Sequence, residues 1–267
     1  NEQDVWPIPV SVVNSFNPFT PTHQAIITES EMELSINEIW EGEWVKLNPE
    51  FANFYRVRYS EDMLDKFVIS IEEKLLSPMD RLNLADDLYA LIRSGHIRTD
   101  VGLRFAWAYE NEDNPNVWAV LVEALTDIDQ LISESSKNDT LLLRNKYRTY
   151  GCALLNKAYS KLGWYPTTDL APVGQKMRVE DFAQRRLREN ILCTMGRLGG
   201  ENFTSVAAEK FNDYLNGMSD LPLGLLECVF RTFARFPTPP RGDNNQSITF
   251  DQLFRVCRKT CFQRTKF

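Results

Sequence analysis

"WVKLNPEFANFYRVRYS", residues 44–60, decides how the chain is read. It holds two short strand-like runs around a five-residue turn, and it is dense in aromatics and arginine. In an extended chain successive side chains alternate. Tyr55, Val57 and Tyr59 then share one face, and Phe54, Arg56 and Arg58 share the other. On residues alone, both faces pack a strand against the helices that follow, with Arg56 held by a carboxylate such as Asp80. The competing reading gives Arg56 a direct substrate contact.

Upstream, the alternation continues. Trp6, Ile8, Val10 and Val12 fall on one face of a strand, and Met32, Leu34 and Ile36 on one face of another. Pro7 and Pro9 cannot donate ladder hydrogen bonds, so the first strand is expected to be an edge strand or a fragment of one. "NSFNPFTPTHQ", residues 14–24, is loop chemistry. Residues 1–59 therefore read as a small partial β-sandwich.

After Ser60 the period changes. Ser60 is a helix cap, with Glu61 and Asp62 in the first turn, where the helix dipole favours anions. Met63, Leu64, Phe67, Ile71 and Leu75 recur at helical spacing. The clearest start and stop pair is Ser77 at a cap with Pro78 next and Gly95 past the end. Further helices are expected over 100–110, 117–132, 141–162, 179–198, 205–215, 222–236 and 250–262. The long loops are 165–175 and 236–246. Helices of similar length with short joins and no strands between them predict a mainly α fold over 60–267, a HEAT-like α-solenoid of antiparallel helices. No sequence repeat of fixed period is present, so the repeat is structural.

Composition narrows the function. Hydrophobic residues make up 43% of the 267, enough to bury a sizeable core. A net charge of -7 argues against nucleic-acid partners, which need a basic face. No apolar run reaches the roughly 18–20 residues that cross a bilayer, and no signal-peptide pattern opens the chain. Asn1 is not an initiator methionine, so a fragment or processed product is expected. The cysteines Cys152, Cys193, Cys228, Cys257 and Cys261 are scattered and odd in number, and read as reduced, mostly buried thiols. The sequons at Asn138, Asn202 and Asn245 do not establish secretion.

Catalytic constellations are missing. Only His23 and His96 exist, and neither lies in a His-Glu-x-x-His pair. There is no Gly-x-Ser-x-Gly elbow and no phosphate loop. Gly199 and Gly200 read as a helix C-cap. Asp86 and Asp87 are helix neighbours about 100° apart, and read as a solvated face rather than a dyad. By its residues the chain is a binding or structural module.

The opening stretch, extended to "WVKLNPEFANFYRVRYSEDML", resembles a passage of zinc aminopeptidases of the aminopeptidase N and puromycin-sensitive type, the gluzincins. "PMDRLNLADDLYALIRSGHIRTDVGL", residues 78–103, continues the match, and Val117-Trp118 and "KLGW" at 161–164 follow in order. The resemblance implies a non-catalytic C-terminal region that closes and gates a peptide chamber with a concave wall. It makes Phe54, Tyr55, Arg56, Tyr59, Asp80 and Arg81 part of the motif joining the β-sandwich to the helical domain. It places zinc and the catalytic residues in a catalytic domain upstream, so no cofactor is expected in this chain. The implied partners are that domain and peptide substrates.

Departures from the family pattern carry their own expectations. Glu50 and Asn53 stand where glycine is frequent, so the turn is expected to be altered. Asp129 and Gln130 stand where some members carry a Tyr-Lys pair for a peptide C-terminus; they are the candidate peptide-facing residues, with Arg56. The second of two closely spaced cysteines near Cys193 is missing, which favours a cytoplasmic location. A free-standing helical-repeat scaffold and a catalytically dead homologue are the alternatives.

Overall fold

The computed structural model describes residues 6–36, 39–135, 140–165, 181–218 and 221–236. Strands β1 (Ile8–Asn14), β2 (His23–Ile27) and β3 (Val45–Leu47) come first. Helices α1 (Glu61–Glu72), α2 (Pro78–Arg93), α3 (Thr99–Ala106), α4 (Pro115–Glu134), α5 (Thr140–Leu162), α6 (Phe182–Leu198), α7 (Glu201–Leu215) and α8 (Leu223–Arg235) follow. Short 3-10 turns lie at Pro49–Phe51 and Trp107–Tyr109. The helix expected over 250–262 and most of the two long loops lie outside the described residues.

The helix ends follow the capping chemistry. Ser60 accepts from the Met63 amide, Ser77 from the Asp80 amide and Asp181 from the Gln184 amide. Asn114 accepts from Asn116 and Val117, with Pro115 in the first turn. Gly199 ends α6 at φ 74°, in the left-handed region that a residue with a Cβ enters only at a cost. These groups satisfy amides and carbonyls that a helix end leaves bare.

The helices stack in two layers. α2, α4, α6 and α8 pack side by side in one layer. α1 packs on α3 in the other, and α3, α5 and α7 each pack against even-numbered neighbours. Each helix buries one stripe against the opposite layer, such as Leu64, Phe67 and Ile71 on α1, and Leu187, Ile191 and Leu198 on α6. A continuous core runs from Val13 and Trp44 through Trp118 to Phe233. The mainly α solenoid is the arrangement the caps and periodicity predict.

The β-unit departs from expectation in three places. The order is β2-β1-β3, all antiparallel, so β1 is central rather than an edge strand. β3 pairs only with residues from Val12 to Asn14, so the proline-bearing start of β1 still has a neighbour on one side alone. The second strand is His23–Ile27, not 32–36. The 32–36 stretch alternates in sequence, but Met32 is exposed and the segment joins no ladder. Residues 54–59 are extended and alternate in burial as expected, yet they also join no ladder.

Candidate functional site

The turn after β3 is built on a buried ion pair. Lys46 Nζ lies 2.8 Å from Asp80 Oδ1, and both side chains are fully buried. Lys46 also donates to the Leu47 and Asn48 carbonyls and to Asn83 Oδ1. Burial pushes the Lys46 ammonium below its ordinary range, against the pull of Asp80. Asp80 accepts as well from the Glu50 amide at 2.8 Å and from the Ser77 hydroxyl. The neighbouring Arg81 is buried too, and grips Glu112 with two bonds of 2.7 and 3.0 Å. Two adjacent residues at the start of α2 thus tie the helix back to β3 and forward to the connection before α4.

That anchoring explains the altered turn. Asn48, Glu50 and Phe51 have φ of 54°, 56° and 55°. Asn53 is not among the left-handed residues; its amide instead donates to Asn48 Oδ1. A left-handed non-glycine residue costs about 1–2 kcal/mol. Glu50→Gly is therefore expected to stabilise by about 0.5–1 kcal/mol, after allowing for the greater freedom of glycine in the unfolded chain. A rise in the urea midpoint checks this; a fall would mean the Glu50 side chain itself supports the turn.

Arg56 does not meet Asp80. Its Nη1 lies 2.6 Å from Asp86 Oδ2 and 3.2 Å from Asp87 Oδ1. The expected solvated acidic face is corrected by this contact: Asp87 is buried and also accepts from the Val57 amide and Asn83. Burial raises the Asp87 carboxyl above its ordinary value, against the pull of the Val57 amide and Arg56. The Arg56 side chain is 47% exposed, so its pairs carry only about 0–1 kcal/mol. Phe54 is fully exposed, Tyr55 is partly buried, and the Tyr59 hydroxyl accepts from the Leu47 amide at 2.9 Å. Phe54 and Arg56 bound a surface hollow of about 460 Å3 together with Phe51 and Tyr55.

The two candidate peptide-facing residues on α4 part company. Gln130 is exposed and donates to Glu134. Asp129 is fully buried and cannot offer its carboxylate to a peptide. It instead gathers Arg235 at 3.1 Å, Arg197 at 3.3 Å, Arg148 at 3.5 Å and Arg144 at 3.9 Å. Sequence reading missed this centre because its members are spread over α4, α5, α6 and α8. The available signal was a charge at Asp129 on the stripe set by Leu125, Ile128 and Ile132.

A cavity of about 600 Å3 opens between α4, α6 and α8. Thr126, Glu189, Asn190, Arg197, Arg231 and Arg235 line it. In its wall Cys193 and Cys228 are joined as a disulfide between α6 and α8, with Cα atoms 4.8 Å apart. This corrects the reading of five reduced thiols. The helices come this close because Gly196 and Gly224 lack side chains: a Cβ there would run into Thr232 and Glu189. Cys152 is the free cysteine among the described residues, half-buried, with its thiol pushed up to about 11 by burial. Cys257 and Cys261 lie outside the described residues. Among the described residues no group of three or more His, Cys, Asp or Glu could hold a metal, and no helix is long and apolar enough to cross a membrane.

The described residues form a two-layer helical array tied through a buried Lys-Asp pair to a β-unit. Residues 44–260 match the ERAP1-like C-terminal domain family, and the chain belongs to that family. It is 26% identical to the puromycin-sensitive aminopeptidase of Caenorhabditis elegans over 97% of this chain and 25% of that protein. It is 26% identical to the alanine/arginine aminopeptidase of Saccharomyces cerevisiae over 82% of this chain and 23% of that protein. With the human glutamyl aminopeptidase it shares 25% over 85% of this chain and 22% of that protein. The chain spans about a quarter of the length of these relatives.

Proposed function

We propose that the chain is the non-catalytic C-terminal part of a zinc-dependent aminopeptidase, where it walls the peptide chamber and gates entry. The observation that carries this is the α2-α4-α6-α8 layer, which presents an open, charged cavity and is tied to the β-unit through Lys46 and Asp80. Supporting it, the relatives named above are aminopeptidases of which this chain covers about a quarter. His23 lies in β2 and His96 after α2, and among the described residues no cluster joins either to further metal ligands. Zinc and the hydrolytic residues belong, in this reading, to a catalytic domain of the same polypeptide. Peptides held against the wall meet many weak polar contacts rather than one deep specificity pocket.

The test compares the intact aminopeptidase with a version lacking everything after Tyr59, using dipeptide-sized and decapeptide-sized substrates. The expected result is that dependence on peptide length is lost with the wall, while the dipeptide is still cleaved. Identical length profiles in a folded, zinc-loaded truncation would put the free-standing scaffold reading ahead. As to compartment, the missing closely spaced cysteine supports a cytoplasmic protein, whereas the Cys193–Cys228 bridge is chemistry that persists under oxidising conditions. Mass mapping of that pair in protein alkylated at lysis decides between them.

A further inference from the structure

Four arginines on three helices surround one buried carboxylate. Arg144 and Arg148 come from α5, Arg197 from the last turn of α6 and Arg235 from the end of α8. All four reach Asp129 on α4. Asp129 supplies one negative charge, and the C-terminal ends of α6 and α8, whose last turns carry Arg197 and Arg235, add about half a charge each, so about two negative charges face four positive ones. Other acids close by are engaged elsewhere. Asp127 pairs with Arg93, Glu134 takes the Gln130 amide, and Glu189 and Glu227 pair with Arg186 and Arg231.

The surplus is visible in the side chains. Burial, then the nearby Arg144 and Arg235, push the Arg148 guanidinium below its ordinary range. Arg144 Nε is buried with no hydrogen-bond partner among the described residues. The Phe236 ring sits 5.2 Å from the Arg148 guanidinium and 5.8 Å from that of Arg235, which fixes both groups. The arginines are not sealed off: their side chains are 15–33% exposed. Guanidinium groups held in place with spare donors match planar and tetrahedral oxyanions.

The geometry points to a binding site for a small multivalent oxyanion, of phosphate or polycarboxylate type, held by Arg197 and Arg235 where they line the cavity between α4, α6 and α8. A single carboxylate would leave part of the surplus standing; two or more charges neutralise it. The site does not depend on the chamber reading, because it is built from α4, α5, α6 and α8 of this chain alone.

The test is calorimetry on the full chain at matched ionic strength, with pyrophosphate and citrate as separate probes. One of them is expected to bind one to one and raise Tm, and the comparison assigns phosphate or polycarboxylate chemistry. Arg197→Gln and Arg235→Gln should each weaken binding roughly tenfold, the effect of losing a charge-assisted hydrogen bond. Arg235→Lys keeps the charge and should weaken it less. Asp129→Asn removes the competing carboxylate and should tighten binding, with a larger Tm rise on adding the anion than in the unmodified chain. A purely structural cluster would not give that opposite sign. Unchanged affinity in both glutamine variants, weaker binding in Asp129→Asn, or no binding of either probe overturns the proposal. So does binding of a free-acid peptide, but not its amide, without binding of either probe.

Discussion

Replacing Asp129 by alanine is expected to remove about 3–5 kcal/mol of stability, the range for deleting one partner of a buried ion pair. The carboxylate is fully buried, and four arginines converge on it. Without it they repel one another at the place where α4, α5, α6 and α8 meet, and the junction between the last helices loosens. For a chain of this size the loss corresponds to a fall of roughly 10 °C in Tm. Because the arginine ends are partly exposed, added salt should recover part of the loss by screening their repulsion. Urea denaturation at two ionic strengths reads both effects. A loss under about 1 kcal/mol, the size of an exposed pair, would show that water already solvates the cluster.

The contrast between this centre and the helices around it shows what one sequence can reveal. Ser60, Ser77, Pro78 and Gly199 act locally: each serves amides or a φ angle within a few residues, so its meaning is written beside it. The helix ends were legible for that reason. The β-unit was less so, because alternation needs a partner strand to become a ladder. Residues 32–36 alternate without one, while His23–Ile27 finds β1 from inside a stretch rich in turn residues. Arg56 pairs with Asp86 and Asp87 rather than with the expected Asp80, because all three lie on α2 and only the path of 54–57 across the helix selects the last two. Non-local pairs were illegible for the same physical reason. Cys193 with Cys228, and Asp129 with Arg235, meet only after α6 and α8 have packed through Gly196 and Gly224.

The Lys46–Asp80 pair allows a test in which the sign with pH is fixed in advance. Asp80→Asn preserves the shape and leaves an oxygen for the Glu50 amide, but removes the charge 2.8 Å from Lys46 Nζ. Near neutral pH the variant is expected to lose about 3–5 kcal/mol, since an ammonium is then buried without its counter-charge. Burial already holds the Lys46 pKa below its ordinary 10.5, and Asp80 opposes that shift more strongly than any other neighbour. Removing Asp80 lowers it further, with only the weaker pull of Asp87 and Glu50 remaining. The unfolded lysine keeps its proton until about pH 10.4. Between the lowered folded value and that point the unfolded state binds more protons, so stability rises with pH. The deficit of Asp80→Asn against the unmodified chain should therefore shrink from about pH 7 to about pH 9.5 as Lys46 gives up its proton in the folded state. Adding Lys46→Met to Asp80→Asn removes the buried charge altogether; it should restore much of the loss at neutral pH and flatten the pH dependence. A deficit that stays constant or widens with pH in the single variant would mean that Lys46 is solvated, and that β3 is held to α2 by packing rather than by the ion pair.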